Sequence, residues 1–269
     1  MSTIKQKWVS EKTVVVSNKP ITKDCYQLVL KSPKISSLGE PGQFINILMA
    51  QEEMGFSTDP LLPRPLSIYD LDKEQGYASV VYRVVGKGTK LLSQLRSTDK
   101  LKIMGPLGKG FKYRWDEQKN LLLVAGGIGV FPLFLLAQSL QNQGHHVKLL
   151  AGLKNKEELP LIKPFIDLGI TTEISTDDGS YNYQGTVIDL LKLDLLDNQY
   201  DFCYTCGREE MMKTVNNLMV PRDISVQVSL EKTMACGVGA CLGCTCKTNL
   251  KQVCTDGPVF SGNEVFINE

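Results

Sequence analysis

Five of the chain's eight cysteines fall between residues 236 and 254, at a spacing that could do redox chemistry. The stretch reads Cys236-Gly-Val-Gly-Ala-Cys241-Leu-Gly-Cys244, with Cys254 after nine intervening residues. Cys-x4-Cys-x2-Cys followed by a distant Cys is the spacing by which four thiolates hold one [2Fe-2S] cluster. Three ligands then come from one tight loop, which must curl round the cluster and aim its N–H groups at the sulfurs. Gly237, Gly239 and Gly243 are expected to permit this, since a residue without Cβ accepts positive φ and close approach. A four-thiolate zinc site competes with this reading. It normally carries two Cys-x2-Cys knuckles, and one such pair is present. Free structural thiols are a third reading; disulfides fit poorly where no secretory leader is read. Cys246 lies two residues past Cys244 and shares its face in an extended segment. It is read as a spectator that could in principle substitute for a ligand.

Two further groups of residues read as contacts to a phosphate-bearing cofactor with a flat polar ring. In Arg64-Pro65-Leu66-Ser67 a guanidinium stands at a strand entry, able to bind phosphate bidentately, with a hydroxyl three positions on. Val81-Tyr82-Arg83 leads through a glycine turn to Gly88 and Thr89, whose N–H groups at a helix start suit a pyrophosphate. Each alone also reads as ordinary structure, an Arg-Pro turn in one case and a capping threonine in the other. The pair is more specific than either. Gly126-Gly127-Ile128-Gly129 sits between an apolar strand and a helix, the place for a dinucleotide phosphate, although Gly-Gly-x-Gly is not the full dinucleotide fingerprint. Cys206 directly follows a strand where a nicotinamide would lie; it reads equally as a small buried residue at a tight turn. Asp177 and Asp178 read as turn residues, and His145 and His146, the only histidines, are given no role.

The elements that must position these residues fall into two patterns. Up to about residue 105 there are short β-type runs at 9–16, 26–30, 44–48, 66–70, 78–85 and 100–104, separated by Pro, Gly, Asn and Asp. Even spacing of such runs predicts a small antiparallel barrel. From about residue 118 the pattern becomes strand–helix alternation. Strands are expected at 120–125, 146–150, 171–175, 201–205 and, finally, 224–228. Helices are expected at 131–141, 159–165, 187–193 and 209–219. That alternation predicts a parallel sheet covered by helices on both faces, with ligands at the carboxyl ends of the strands.

Bulk composition excludes more than it identifies. With 269 residues the chain is long enough for two domains, and 42% hydrophobic with 22% charged residues is ordinary for a globular protein. Thirty basic against twenty-nine acidic residues give no argument for nucleic acid or an anionic membrane. The first eight residues carry no apolar run, so no signal peptide is read there. Residues 121–137, the greasiest stretch, are broken by three glycines and Pro132 and fall short of the roughly 20 apolar residues a span needs. A cytoplasmic location without a membrane span is expected.

Taken together, Arg64-Pro65-Leu66-Ser67, Gly88-Thr89 and Gly126-Gly127-Ile128-Gly129 resemble the ferredoxin–NADP reductase superfamily. With the cysteine loop added, the chain resembles the electron-transfer subunits of class 1B dihydroorotate dehydrogenases over nearly its whole length. Phthalate-dioxygenase-type reductases also end in a cluster, but on a complete ferredoxin domain, for which the roughly 40 residues after Val228 are too few. The resemblance implies an FAD-binding β-barrel at 1–112, an NAD-binding α/β domain at 113–228 and a small iron–sulfur subdomain at 229–269. It implies FAD on Arg64, Pro65, Leu66, Ser67, Val81, Tyr82, Arg83, Gly88 and Thr89. In it Ser67 stands near the flavin N5, with Arg64 and Thr89 on the pyrophosphate. It places Gly126, Gly127, Gly129 and the Cys206-Gly207 turn on the nicotinamide side, and makes Cys236, Cys241, Cys244 and Cys254 the cluster ligands. Arg208 departs from the superfamily's usual proline, and the nine-residue gap with its extra Cys246 departs from the cluster pattern.

The implied function is a relay in pyrimidine biosynthesis. Electrons run from an FMN-containing catalytic subunit that oxidises dihydroorotate, through the cluster and FAD, to NAD+, in a heterotetramer with two of each chain. Val238 and Leu242 would face that partner. NAD over NADP is implied by the family; the residues are ambiguous, with Lys154 and Lys156 set against Glu157 and Glu158. Two alternatives stay open: the same relay serving a hydrogenase, sulfide dehydrogenase or glutamate-synthase-like partner, and a zinc-binding adaptor without enzymatic function.

Overall fold

The computed structural model describes residues 8–48, 59–246 and 248–266. The N-terminal stretch read for a leader lies, up to residue 7, outside them. Six strands close into a barrel: β1 (Val9–Pro20), β2 (Cys25–Lys31), β3 (Phe44–Leu48), β4 (Arg64–Asp72), β5 (Tyr77–Arg83) and β6 (Lys100–Leu107), in the order β1-β2-β5-β4-β3-β6. All pairings are antiparallel, and β6 returns to β1. The alternation read from sequence has its physical counterpart here. Leu101 and Ile103 of β6 point inward and are buried, while Lys100 and Lys102 point to solvent. Register shifts at Val15/Ser17, Phe44/Asn46 and Ile68/Asp70 supply the local bends a six-stranded closure needs.

Two details differ from the sequence expectation. β4 begins at Arg64, so the arginine and Pro65 stand inside the strand and not before it. A six-residue helix, α1 (Pro33–Leu38), joins β2 to β3 and buries Ile35 against the barrel; it is too short for helical periodicity to show. A second short helix, α2 (Lys87–Leu92), follows β5.

The second half forms a seven-stranded sheet, ordered β10-β9-β8-β7-β11-β12-β13. Its strands are β7 (Asn120–Gly126), β8 (His146–Leu153), β9 (Thr171–Thr176), β10 (Tyr183–Gln184), β11 (Phe202–Cys206), β12 (Ser225–Ser229) and β13 (Val259–Ser261). The helices are α3 (Phe131–Asn142), α4 (Lys163–Asp167), α5 (Val187–Asp197), α6 (Glu209–Met219) and α7 (Gly262–Val265). The helix expected at 159–165 is instead a 3-10 stretch, Lys156–Leu161, followed by α4. Pro160 and Pro164 explain the break, because each lacks the N–H that a continuous helix would use.

The expected parallel sheet is present, but it does not end at 224–228. Five pairings are parallel, but β13, contributed by the cysteine-bearing tail, adds antiparallel to β12. Cys244, Cys246 and Cys254 share one buried apolar cluster with Val226 and Val228 of β12 and Met212 of α6. The tail is thereby built into the sheet's core. The barrel is seated on α3, where Tyr69 stacks on Phe134 with ring centroids 4.4 Å apart and Leu135 joins the barrel's own core. Such a stacked aromatic pair contributes about 0.5–1.5 kcal/mol beyond its buried area. Among the described residues no helix is long and apolar enough to cross a membrane.

Candidate functional site

Two clefts open along the seam between barrel and sheet. The first, about 450 Å³, is bordered by Arg64, Pro65, Leu66, Ser67, Val81, Tyr82, Arg83 and Thr89, eight of the nine residues expected there. Gly88 acts from behind. A Cβ on it would lie 2.3 Å from Arg64 Nε, so the missing side chain lets the guanidinium rest on the first turn of α2. The Arg64 guanidinium is oriented from the other side, Nη1 donating to the Leu62 carbonyl at 2.6 Å. Thr89 is occupied locally, its hydroxyl accepting from the Val85 and Gly86 N–H groups at 3.0 and 3.2 Å. The capping reading of Thr89 describes its side chain. Tyr82 turns into the barrel core and donates to Asn18 Oδ1 at 3.1 Å. Of the remaining wall, Phe44, Ile128, Phe131 and Met234 give apolar faces, and Glu231, Lys232 and Thr233 form a polar edge. A fixed guanidinium over helix N–H groups, beside flat apolar walls, fits a flavin dinucleotide.

The second cleft, about 500 Å³, lies at the carboxyl ends of β7, β8 and β11 and includes Gly126, Gly127 and Gly129. The three glycines are needed for different reasons. Gly127 has φ +54° and faces open space. A Cβ on Gly129 would lie 2.2 Å from the Cys206 carbonyl oxygen, and one on Gly126 2.7 Å from Met211 Sδ. Only Gly127 is therefore bare towards a ligand; Gly129 allows the main chain to cross at Cys206, and Gly126 makes room for the Met211 side chain. Cys206 lies beneath the floor of the cleft, fully buried, and burial raises its thiol well above the ordinary range. Its neighbours Gly207 and Arg208 form the surface instead.

Arg83 stands in the wall common to both clefts and bridges Asp24 at 3.1 Å and Glu158 at 2.6 Å. The other Glu158 oxygen accepts from the Lys154 N–H at 3.0 Å. Glu158 is thus committed to holding barrel and sheet together. Lys156 and Glu157 do not border the cleft, whereas Lys154 and Asp177 do. Sequence reasoning also missed Glu231, just past β12, which borders both clefts. It is open to the cleft, yet its surroundings desolvate it enough to raise its carboxyl. No motif marks it; only the docking of two domains gives it that place.

The cysteine loop turns through positive φ at Gly237 (+74°), Gly239 (+83°) and Leu242 (+58°). Gly243, expected to share that role, does not, and the strained position next to it is held by a leucine. Cys236 Sγ accepts from the N–H groups of Val238 and Cys241, both at 3.4 Å, and Cys244 Sγ accepts from the Cys254 N–H at 3.4 Å. Desolvation pushes the Cys236 thiol up, but these N–H groups outweigh it and bring it down to about 7. Cys254, desolvated and beside the Cys244 thiol, is pushed up to about 12. Main-chain N–H···S bonds thus link Cys241 to Cys236 and Cys254 to Cys244. Among the described residues no three His, Cys, Asp or Glu side chains gather tightly enough to hold one ion. Four thiols brought to one loop and linked by N–H···S bonds would suit a [2Fe-2S] cluster, which four cysteines hold. Cys246 is buried with the apolar cluster, its N–H bound to the Lys251 carbonyl at 2.8 Å.

Residues 231–266 match the family model for the iron-sulfur cluster binding domain of dihydroorotate dehydrogenase B. Over 263 residues the chain is 40% identical to the dihydroorotate dehydrogenase B (NAD(+)) electron transfer subunit of Geobacillus thermodenitrificans, covering 96% of this chain and 98% of that one. The corresponding subunit of Clostridium acetobutylicum is 39% identical, covering 99% and 100%. Among solved structures, that of NADH-dependent reduced ferredoxin-NADP oxidoreductase superposes with a TM-score of 0.81 at 29% identity, covering 94% of this chain and 89% of that one. A Neisseria gonorrhoeae ferredoxin NADP+ reductase with bound FAD and NADP has a TM-score of 0.64 at 17% identity, over 79% and 91%, and shares the fold. By full-length identity, and by the cluster-binding segment in its tail, this chain belongs to the family of dihydroorotate dehydrogenase B (NAD+) electron transfer subunits.

Proposed function

We propose that the chain relays electrons between NAD(H) and a separate, FMN-containing catalytic subunit that oxidises dihydroorotate, two copies of each assembling in the cytoplasm. As a member of its family it is an oxidoreductase component that uses FAD, a [2Fe-2S] cluster and NAD. The first cleft is assigned to FAD, the second to the nicotinamide dinucleotide, and Cys236, Cys241, Cys244 and Cys254 to the cluster. In terms of the chain, 1–112 is assigned to flavin binding, 113–228 to NAD and 229–269 to the cluster. When bound, FAD supplies the exchange between a hydride's electron pair and single electrons, and the cluster supplies one-electron carriage.

One observation carries this reading: a single short segment serves all three places. Glu231 borders both clefts, Met234 borders the first, and Cys236 opens the cysteine loop two residues later. The chain's own residues then divide the work. Arg64 and the first turn of α2 hold a pyrophosphate by charge-assisted hydrogen bonds. Phe44, Phe131 and Met234 exclude water from the ring face. Arg83 and Glu158 keep the two clefts at a fixed separation. Asp177, at the carboxyl end of β9, supports NAD over NADP, since a carboxylate accepts from a ribose hydroxyl and repels a 2′-phosphate. Val238 and Leu242, 37% and 60% exposed beside the loop, offer the catalytic subunit an apolar seat. A different partner finds some support in the 29% identity to the NADH-dependent ferredoxin-NADP oxidoreductase, less than the curated relatives give.

An anaerobic visible spectrum of the purified protein, before and after NADH, with flavin and iron quantified, tests the reading. Flavin bands over a broad iron–sulfur envelope, both bleached by NADH, are expected. Protein purified without flavin, or with zinc in place of iron, would overturn it.

A further inference from the structure

Buried hydroxyls in and beside the barrel mostly place their donor on the main chain. The hydroxyls of Thr13, Ser36 and Thr89 each donate to a carbonyl. Asn46 is different. Its side chain is fully buried, Nδ2 donates to the Cys236 carbonyl at 3.2 Å, and Oδ1 has no partner. A buried acceptor left unmatched is destabilising, so an apolar residue of similar size would serve packing better. The donor end is what the amide contributes.

Its setting gives that donor a purpose. Ile45 and Ile47 point into the barrel core, which leaves Phe44 and Asn46 on the outer face of β3. Phe44 borders the first cleft, while Asn46 lies under the cysteine loop, roughly 7 Å further along the strand. A Cβ on Gly237 would stand 2.3 Å from Asn46 Nδ2, so the amide is pressed directly against the loop's first glycine. That glycine has φ +74°, and it opens the turn in which the Val238 and Cys241 N–H groups reach Cys236 Sγ.

We propose that Asn46 is a positioning residue for the iron–sulfur centre: by holding the Cys236 carbonyl it fixes the turn that aims two N–H donors at the Cys236 sulfur. Such N–H···S bonds stabilise the more negative, reduced cluster, so the clamp raises its reduction potential. It also ties the cluster loop to the strand that borders the flavin cleft. The inference rests on the assignment of Cys236 as a cluster ligand.

Asn46→Leu keeps the branched outline, with bulkier methyls, and removes the donor; Asn46→Asp keeps the shape and, when ionised, replaces the donor with an acceptor. Each full-length variant is purified anaerobically with its catalytic partner. Iron, acid-labile sulfide and flavin are counted, and the cluster is titrated with EPR detection. Both variants are expected to keep FAD and two irons per chain, with altered g-values. The one-electron equilibrium should move about tenfold towards the oxidised cluster, which corresponds to about 59 mV. Potentials and EPR spectra equal to wild type in both variants overturn the clamp. Should both lose iron, retention by Asn46→His, whose Nδ1 stands as many bonds from Cα as Asn Nδ2, supports it; loss from all three overturns it. Wild-type protein without two irons and two sulfides sinks the ligand assignment itself, and the inference with it.

Discussion

The cysteine loop and the two clefts are built on opposite plans. The loop gathers its chemistry in one stretch, 236–254, and shapes it largely by local means, positive-φ turns and N–H groups donated to neighbouring sulfurs, with Asn46 reaching in from β3 to the Cys236 carbonyl. The first cleft draws Arg64 from β4, Val81 from β5, Thr89 from α2, Phe131 from α3 and Met234 from the tail. Nothing within any one of those segments closes the site. Thiolates bind iron by strong, directional bonds, so a few residues at the right spacing suffice. A dinucleotide is held by many weak contacts spread over its length, so its site has to be assembled by the packing of whole elements.

Mutations should separate the two plans. Cys241 is exposed, so Cys241→Ala disturbs no core. Loss of the cluster EPR signal and of electron transfer to the catalytic subunit is expected, with FAD retained and still reduced by NADH; an intact cluster would show that another thiol, such as Cys246, serves as ligand. Arg64→Ala is expected to do the reverse. Losing a charge-assisted bond of about 1.5–3 kcal/mol should weaken FAD binding by roughly 10- to 150-fold while iron content is unchanged. Flavin release on dilution measures it.

Gly129→Ala tests the packing on which the second cleft depends. With the new methyl placed 2.2 Å from the Cys206 carbonyl, the main chain must shift, and about 1–3 kcal/mol of stability should be lost. That appears as a lower thermal midpoint and a higher KM for NADH; an unchanged midpoint would mean the crossing is looser than it looks. The smallest effect is expected from Asp177→Ser, which leaves NADH turnover within a few-fold but improves NADPH use by about 1 kcal/mol or more, roughly five-fold. No gain with NADPH would move the selection of dinucleotide to another residue.

Much of this architecture was legible in the chain. The six barrel strands follow from alternation bounded by turn residues, and Glu209–Met219 forms the helix its periodicity predicts. Short or tertiary-driven elements were not legible. Val259–Ser261 has three residues, too few for any period, and becomes a strand because β12 offers it an unpaired edge. Gly243 looked like a turn residue by type, yet Leu242 takes the positive φ.

What the sequence alone determined is therefore the chemistry of local spacing and local period: the cysteine set, the barrel strands, the Gly126–Gly129 turn between β7 and α3. Tertiary structure alone decided which residues meet across the chain. It buried Cys206 beneath the second cleft, set Glu231 between two clefts, committed Glu158 to Arg83 and brought Asn46 to Cys236 across 190 residues. The reason is physical. Periodicity reports which face of an element is apolar, but the partner of a lone polar side chain depends on how two apolar faces dock, and that is a property of the whole packed core.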